Sequence, residues 1–353
     1  MRITQVMLAK GFGGAERLFV DLCRSLCERG LDVQAICHRG SKSAEMLSEH
    51  PEIKLQPLKV WGTWDPKAAS SIAGLVAQHK SQIVQAHLAR AALLAGRACK
   101  KLTLPIVVTT HNYIDIKYYK HVSMLIPPTK DLHDYYLGQG VAADRLKIIN
   151  HFSAIKPNIK LREEKEDTIR IVAHGRLVRK KGYHLLLDAA AILKKEVGLN
   201  YELLIAGTGP EQSALLQRIS DLGLENSVTL TGWTDNIERF LGGGDVFVLP
   251  SLDEPFGIVI LEAMAMGLPV VSMDAQGPKE ILDTDCAWFF KTGESASLAK
   301  ALQAACDDPQ ERKRKSDKAL QKFKNTYSKQ VVIPEFIALY ESLLAKQTKA
   351  SPR

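Results

Sequence analysis

The fold is decided by the stretch EPFGIVILEAMAMGLPVV, which runs from Glu254 to Val271. The preceding residues, 245–251, predict a buried strand. The stretch itself predicts a loop, a helix that begins near Gly257, and a second strand over 268–273. This order is typical of one repeat of a parallel sheet. Ligands bind such sheets at the carboxyl ends of their strands, and here this place has one acid before the helix and another inside it.

The predicted helix start is suited to binding a diphosphate. The first N–H groups of a helix have no intrahelical acceptor and carry a partial positive charge. We therefore expect Ile258 and Val259, made accessible by Gly257, to donate to phosphate oxygens. Glu262, about one turn further along, fits a ribose diol, and Glu254 fits hydroxyl groups elsewhere on the same ligand. Two solvated surface acids are the alternative interpretation, but the helix around Glu262 is apolar on nearly every side, so that carboxylate needs a partner.

Short β-branched runs alternate with amphipathic stretches along the whole chain, which predicts parallel, doubly wound sheets. The strands predicted in the first half cover residues 3–8, 32–37, 83–86 and 106–110. Those predicted in the second half cover residues 169–173, 202–206, 227–231, 246–249, 269–273 and 287–289. A polar segment rich in Lys and Glu, 153–167, is expected to link the two halves.

Two α/β domains of ordinary size and a terminal helix follow from this pattern. The predicted boundaries are 1–155 for the first domain, 156–326 for the second and 327–353 for the terminal segment. A cleft between the domains is the expected ligand site. The terminal segment has apolar side chains at helical spacing, and Pro334 is expected to mark a break or a helix start there.

The composition favours a cytoplasmic protein with anionic partners. The 353 residues carry a formal net charge of +8. There is no apolar run of transmembrane length and no signal peptide is expected. The six scattered cysteines predict core thiols rather than a zinc site or disulfides. No nucleic-acid-binding motif accompanies the positive charge, so nucleic acid is not an expected partner.

The stretch from Glu254 resembles the EPFGxxxxEAMAxGxPVV signature of retaining, nucleotide-sugar-dependent glycosyltransferases of the GT-B fold, in glycosyltransferase family 4. The resemblance implies an α/β GT-B fold with two doubly wound Rossmann-like domains facing across a cleft and a terminal helix that crosses back onto the first. It implies transfer of a sugar from a nucleotide-diphosphate sugar, a UDP-sugar by expectation, to a hydroxyl of a glycan or lipid-linked acceptor. No metal and no cofactor beyond the donor is implied. Lipopolysaccharide or another cell-surface polysaccharide is the expected pathway.

A basic loop follows the first predicted strand of the second domain. Its sequence, AHGRLVRKKG over 173–182, is similar to the family's GRLxxxKG motif. Arginine offers a planar fork and lysine a point charge, so the two can clamp a diphosphate. The resemblance implies that Arg176 and Lys181 neutralise the leaving diphosphate.

Two further loops of the second domain are expected near the donor. Gly207 lies in a strand-to-helix turn that either contacts the donor or merely shapes the turn, with Glu211 as a capping acid. The resemblance places the loop with Trp233 and Thr234 against the nucleotide base, although the tryptophan could equally serve packing.

In the first domain, a glycine-rich loop superficially suggests a dinucleotide fingerprint. Counted from Gly11, the pattern GxGxxG needs a glycine where this chain has Glu16, and the second strand ends without a ribose-binding acid. The loop is instead similar to the family's GGxE loop. Gly13 and Gly14 are then expected to let the donor sugar and phosphate approach the backbone.

Two polar residues of the first domain are expected near the reaction centre. His111 follows a predicted strand end, and the corresponding family histidine lies near the donor sugar. Asn150 is a weaker candidate, because His151 stands where the family more usually has glycine. With Glu254, Arg176 and Lys181, His111 completes the predicted catalytic set.

Three other activities remain open at this point. A glycoside hydrolase could use the two glutamates as acid and base, but it has no use for a phosphate-binding loop. A GT-B-type nucleotide-sugar epimerase or phosphorylase shares the donor site. A catalytically silent nucleotide-sugar-binding protein is the alternative from outside the enzymes.

The acceptor is expected at a membrane surface. The stretch from Lys117 to Pro128 interleaves basic and aromatic residues, which suits peripheral contact with an anionic membrane on its inner face. A hinge-side helix or an acceptor-binding loop fits the same stretch.

Overall fold

The computed structural model describes residues 1–157 and 168–350. It divides into two compact units. One contains Met1–Ala154 together with Ser328–Arg353, and the other contains Ile155–Tyr327. Most of the predicted linker, 158–167, lies outside the described residues.

The first unit holds a parallel sheet of six strands. They are β1 (Arg2–Met7), β2 (Asp32–His38), β3 (Lys54–Leu58), β4 (Ile83–His87), β5 (Ile106–Thr109) and β6 (Met124–Ile126). Their order in the sheet is β3-β2-β1-β4-β5-β6. The order reverses between β1 and β4, so the loops after these two strands flank the place where an open sheet binds ligands.

Five α-helices among the described residues accompany these strands, four of them as connections and the fifth after the last strand. They are α1 (Gly14–Glu28), α2 (Lys42–Ser48), α3 (Pro66–His79), α4 (Leu88–Leu102) and α5 (Lys130–Gly138). The start of α3 shows how the sequence sets a helix boundary, because Asp65 accepts hydrogen bonds from the N–H groups of Lys67 (3.0 Å) and Ala68 (3.1 Å). A proline at the first helical position adds to this signal.

The stretch from Lys117 to Pro128 is not the exposed surface that its composition suggests. It forms a short 3-10 turn and then β6. Tyr119 and Val122 are buried in the core of the unit. Tyr119 and the apolar residues thus face inward, whereas Lys117 and Lys120 are exposed, and membrane contact at this stretch stays a prediction.

The second unit holds another parallel sheet of six strands. They are β7 (Ile169–His174), β8 (Tyr201–Ala206), β9 (Val228–Gly232), β10 (Val246–Leu249), β11 (Val270–Met273) and β12 (Ala287–Phe290). The order is β12-β11-β10-β7-β8-β9, and it reverses between β7 and β10. Both β10 and β11 are buried along their whole length, as expected for a sheet covered on both faces.

Seven α-helices occur in the part of this unit that the structure describes. They are α6 (Tyr183–Ile192), α7 (Gln212–Asp221), α8 (Ile237–Gly242), α9 (Ile258–Ala265), α10 (Gln276–Ile281), α11 (Ser295–Asp307) and α12 (Pro309–Lys322). The predicted helix start near Gly257 agrees with α9.

The chain then returns to the first unit as α13 (Lys329–Ala350). Its Gln347 side chain donates to the carbonyl oxygen of Thr103 at 2.8 Å. Pro334 lies inside this helix and neither breaks nor starts it. Both this proline and Gln330, whose carbonyl loses its partner, are exposed, so water can replace the missing hydrogen bond. Among the helices that the structure describes, none is both long and apolar enough to cross a membrane.

Candidate active site

The switch point of the second sheet brings Lys181 and Glu254 together. The loop after β7 carries the lysine and the loop after β10 carries the glutamate, and these strands are neighbours. Lys181 Nζ donates to Glu254 Oε2. Ser251 Oγ donates to the same oxygen at 3.3 Å, and the Glu254 N–H donates to Gln276 Oε1 at 2.8 Å. Glu254, which is only 8% exposed, therefore has its carboxylate held by two side chains and its backbone held by a third.

Backbone contacts hold these two loops against each other. Gly182 has a φ of 68°, and a Cβ atom there would lie 1.9 Å from the carbonyl oxygen of Pro250. The N–H of Leu252 donates to the carbonyl oxygen of Lys180 at 2.7 Å. Only glycine permits this close approach, so the position of Lys181 depends on Gly182.

Arg176 lies in the same loop but is differently placed. Its guanidinium is exposed, and it has no hydrogen bond or ion pair to any residue that the structure describes. Lys181 is already neutralised by a carboxylate. The positive charge of Arg176 is thus available to an anion.

Gly207 joins the ends of three strands. A Cβ atom on it would lie 1.9 Å from the carbonyl oxygen of Gly175, and its N–H donates to the carbonyl oxygen of Gly232 at 2.7 Å. This residue therefore shapes the carboxyl ends of β7, β8 and β9. Of the two roles predicted for Gly207, these contacts support the one in which it shapes the turn.

The start of α9 has the features of an anion site. Gly257 precedes the helix with a φ of 102°. No described residue accepts a hydrogen bond from the N–H groups of Ile258 or Val259. The Cβ position of Gly257 is 3.4 Å from Glu254 Cγ, so the helix start and the carboxylate are adjacent.

Glu262 lies next to His174, a residue that the sequence motifs do not single out. Glu262 is 3% exposed, and its Oε2 lies 3.2 Å from His174 Nε2, a close contact that does not have the geometry of a hydrogen bond. His174 is the last residue of β7, so neighbouring strands again bring the two together. Its position directly before the basic loop is the signal that could have indicated it.

Trp233 and Thr234 follow the edge strand β9. The indole is 46% exposed, and its Nε1 donates to Asp235 Oδ1 at 2.9 Å. The Thr234 hydroxyl donates to the carbonyl oxygen of Asn236 at 3.3 Å. The tryptophan is therefore a surface side chain with one face open rather than part of the core.

In the first unit, the predicted residues lie at the carboxyl edge of the sheet. Gly13 precedes α1, in the loop after β1, and Gly14 is the first residue of that helix. The φ of Gly13 is −165°, which is ordinary extended backbone. Gly13 therefore matters because it lacks a side chain, not because of its conformation.

Three histidine rings meet near the end of β5. His87 Nδ1 lies 3.3 Å from His111 Nε2, and the rings of His111 and His151 are 4.7 Å apart. Burial lowers the pKa of His111 to about 3. Burial, with nearby histidine charge as the smaller cause, holds the pKa values of His87 and His151 well below the usual range. The cluster is therefore neutral at physiological pH.

Asn150 lies beside this cluster and is partly buried. The Ile149 N–H donates to the carbonyl oxygen of Pro127 at 3.2 Å, so the segment runs alongside β6. His151, which replaces the family's glycine, supplies the ring that packs against His111.

No group of three His, Cys, Asp or Glu residues that could hold a metal ion occurs among the described residues. All six cysteines are free, and burial raises the pKa of the Cys37 thiol to about 12.

Two protein families match the chain. Residues 155–322 match the family described as glycosyl transferases group 1, and residues 12–152 match glycosyltransferase family 4. The chain belongs to the group 1 glycosyltransferases. Its resemblance to this family is thereby confirmed.

Similar proteins agree with this assignment. The lipopolysaccharide core biosynthesis glycosyltransferase LpsD of Rhizobium meliloti is 27% identical over 346 residues, covering 95% of this chain and 97% of its own. The amylovoran biosynthesis glycosyltransferase AmsK of Erwinia amylovora is 32% identical over 191 residues, covering 51% of this chain and 46% of its own.

Solved structures share the fold of this glycosyltransferase. Anabaena Alr3699/HepE in complex with UDP and glucose has a TM-score of 0.82 at 21% identity, covering 96% of this chain and 99% of its own. WaaG, a glycosyltransferase involved in lipopolysaccharide biosynthesis, has a TM-score of 0.70 at 16% identity, covering 92% of this chain and 96% of its own. The predicted α/β, doubly wound GT-B fold class is confirmed.

Proposed function

We propose that this glycosyltransferase moves a sugar from a UDP-sugar to a hydroxyl group of a glycan or glycolipid acceptor, with retention at the anomeric carbon. The proposed pathway is the assembly of lipopolysaccharide or another cell-surface polysaccharide. Relatives named for lipopolysaccharide core and amylovoran biosynthesis support the pathway. Structural neighbours that were solved with UDP or UDP-glucose support the donor.

The pairing of Lys181 with Glu254 carries this proposal. The side chains of the two residues are 19% and 11% exposed, and they sit beside the unpartnered N–H groups at the start of α9. A ligand that presents a diphosphate to the cation and hydroxyl groups to the carboxylate satisfies both partners. A nucleotide sugar carries these two groups on adjacent atoms.

Each residue then has a defined part in the transfer. Arg176, Lys181 and the N–H groups of Ile258 and Val259 stabilise the negative charge that develops on the leaving diphosphate. Glu262 binds the ribose diol, with His174 orienting its carboxylate. Glu254 binds hydroxyl groups of the transferred sugar and does not act as a nucleophile.

The remaining predicted residues contribute binding. Trp233 and Thr234 contact the base, and Gly207 shapes the edge beside them. Gly13 and Gly14 admit the sugar and phosphate to the backbone of the first unit. His111 contacts a sugar hydroxyl, and Asn150 lies next to it.

The proposal is tested by thermal shift and turnover with UDP-, GDP- and ADP-sugars. A donor that binds only the folded protein raises its melting temperature, and the UDP-sugar is expected to do so most. Turnover is measured as nucleoside diphosphate released together with glycosylated acceptor. Lys181→Ala and Glu262→Ala are each expected to abolish transfer without unfolding the protein, and full activity in either contradicts the site.

The same assay separates the alternatives. An epimerase changes the donor sugar without releasing nucleoside diphosphate, and a phosphorylase requires inorganic phosphate. A silent binding protein shows the thermal shift and no turnover with any acceptor.

Retention and metal independence have their own measurements. The anomeric configuration of the product, read by NMR, must match that of the donor. Because fixed positive charge and helix N–H groups hold the diphosphate, we expect full activity in excess chelator. Inversion of configuration, or loss of activity that a divalent cation restores, overturns the corresponding part of the proposal.

Peripheral membrane contact is proposed at a different surface from the one the sequence suggests. Trp61 and Trp64 are 81% and 66% exposed. Lys59 Nζ lies 4.2 Å from the ring centroid of Trp61, and Arg97 Cζ lies 5.0 Å from that of Trp64. Tryptophan prefers the membrane interface and nearby cations are drawn to anionic lipids.

Vesicle sedimentation tests this contact. The protein is expected to bind vesicles with anionic lipid at low salt and to bind neutral vesicles weakly. A Trp61→Ala/Trp64→Ala variant should lose this binding, whereas Trp233→Ala, which removes an exposed tryptophan from the other unit, should keep it. Equal binding by the two variants rules the surface out.

A further inference from the structure

A series of polar side chains crosses the core of the first sheet, where apolar residues are the rule. Gln5, Gln85, His87 and Tyr340 are all fully buried. We call these four residues the polar chain. The first belongs to β1, the next two to β4 and the last to α13. Buried polar groups are retained where they are hydrogen-bonded, and the polar chain is hydrogen-bonded throughout.

The hydrogen bonds of the polar chain run in one direction from His87 through Gln5 to Gln85, where the Tyr340 hydroxyl is a second donor. Tyr340 donates its hydroxyl hydrogen to Gln85 Oε1, and Gln5 Nε2 donates to the same oxygen at 3.1 Å. The Gln85 amide nitrogen donates to Thr109 Oγ1 at 2.6 Å. Gln5 has therefore used its nitrogen, and its Oε1 accepts from His87 Nε2 at 3.1 Å.

This direction determines where the two histidines carry their protons. A neutral imidazole has one N–H and one lone pair. Since His87 donates from Nε2, its Nδ1 accepts from His111 Nε2, which lies 3.3 Å away. His111 then holds its proton on Nε2 and has a lone pair on Nδ1. This Nδ1 makes no hydrogen bond to any residue in the described ranges.

We propose that the polar chain positions His111 and fixes its tautomer, so that Nδ1 accepts a hydrogen bond from a hydroxyl group of the sugar substrate. This inference rests on the proposed function for the identity of that substrate. The four residues of the polar chain act through His111 and are positioning residues. The terminal helix thereby contributes to substrate binding through Tyr340 without touching the sugar.

The tautomer itself can be measured in the ligand-free protein. NMR of 15N-labelled histidine distinguishes a protonated ring nitrogen from one with a lone pair. We expect His111 to show a protonated Nε2 and a bare Nδ1. The reverse assignment, with the proton on Nδ1, overturns the inference whether or not the protein transfers a sugar, so its failure is distinct from failure of the proposed function.

Substitution of His87 tests the positioning role. His87→Phe keeps a ring against Phe19, whose centroid is 5.4 Å away, but removes the acceptor of the His111 proton. We expect mixed tautomers at His111 and a fall in kcat of about tenfold, the effect of one hydrogen bond. His87→Gln, which can donate to Gln5 and accept from His111, should restore much of both. No rescue by the glutamine, or an unchanged tautomer in the phenylalanine variant, refutes the role.

A matched histidine controls for general destabilisation. His79 belongs to the same unit and is also buried, with Nδ1 2.8 Å from Ser81 Oγ, but it lies at the opposite edge of the sheet. His79→Phe should lower stability without altering the His111 tautomer or kcat. If His87→Phe fails to fold, Tyr340→Phe removes a single hydroxyl and should still shift the tautomer balance. A balance identical to wild type in that variant contradicts the inference.

Discussion

Lys181 and Glu254 form a salt bridge across the two loops that flank the switch point of the second sheet. Without a donor the two charges compensate each other. In the proposed function, a diphosphate replaces the carboxylate as partner of Lys181, and Glu254 is then free to accept hydrogen bonds from the sugar. The proposal therefore links phosphate binding and sugar binding through one pair of side chains.

Loss of the Lys181 charge is expected to lower kcat/KM far more than loss of the Lys180 charge. Lys181→Met should lower kcat/KM by about 10²–10³-fold, the effect of removing one group that stabilises the leaving charge. Lys180→Met is the matched control, because this side chain is 43% exposed and is 3.3 Å from Asp253. Surface pairs of this kind contribute little, so we expect a change within about twofold. Similar losses in both variants, measured by steady-state kinetics, contradict the assignment of Lys181.

Glu262 is expected to govern nucleotide affinity. Glu262→Gln keeps the shape of the side chain but loses the charge-assisted bonds to the ribose, so the Kd for UDP should rise about 10–100-fold by calorimetry. His174→Phe should weaken UDP binding less, because it removes only the group that orients the carboxylate. Glu202→Gln is the control, since Glu202 pairs with Arg170 near the starts of β7 and β8. A normal Kd in Glu262→Gln would exclude the ribose role.

Two glycines with the same backbone conformation separate strain from steric clash. Gly182 and Gly198 have φ values of 68° and 69°, but a Cβ atom meets the Pro250 carbonyl only at the first and has open space at the second. Gly198→Ala should lower the free energy of unfolding by ~1 kcal/mol, the cost of left-handed backbone. Gly182→Ala should cost at least ~1 kcal/mol more and should impair transfer, because the clash displaces the loop that carries Lys181. Equal stability of the two variants in denaturant titrations is the contrary result.

The free energy of unfolding is expected to decrease as the pH falls below about 6.5. Burial keeps the pKa of His111 at about 3, and those of His87 and His151 well below normal. The unfolded chain takes up protons on these residues where the folded chain does not, so acid favours unfolding. Each histidine contributes up to ~1.4 kcal/mol per pH unit to the slope of the free energy of unfolding, at pH values between its folded-state and unfolded-state pKa.

Denaturant titrations from about pH 7 to about pH 5, above the range where most carboxylates titrate, measure this slope. His151→Phe retains a ring against His111 and removes one of the three protonation sites. It should therefore reduce the slope, and a slope equal to that of the wild type shows that the cluster does not titrate as described.

The structure of the stretch from Glu254 to Val271 could be predicted because the residues that determine it are close together in sequence. A glycine before an apolar helix and an acid inside that helix predict the start of α9 and a partner for Glu262. The close contact with His174 could not be predicted, because this residue lies far away in sequence and approaches Glu262 only through the adjacency of β7 and β10 in the sheet. The salt bridge of Lys181 depends on the same adjacency.

Composition was a weaker guide than pattern. The alternation of basic and aromatic residues before Pro128 suggested a surface, yet Tyr119 packs inward because β6 is a strand of the sheet. That strand has only three residues, and β3 is a partly exposed edge strand containing Pro57, so neither gives a clear signal. Pro334 failed as a boundary signal because its side of the helix is exposed to water.

The return of α13 to the first unit affects the order in which the protein can fold during synthesis. Tyr340 and Gln85 are hydrogen-bonded across 255 positions of sequence. On the ribosome, the second unit is complete once Tyr327 has emerged, whereas the first must wait for the final helix. Contacts so distant in sequence also form slowly. The unit that is synthesised first is thus completed after the second, and His111 acquires its full hydrogen-bonded surroundings only once α13 has been synthesised.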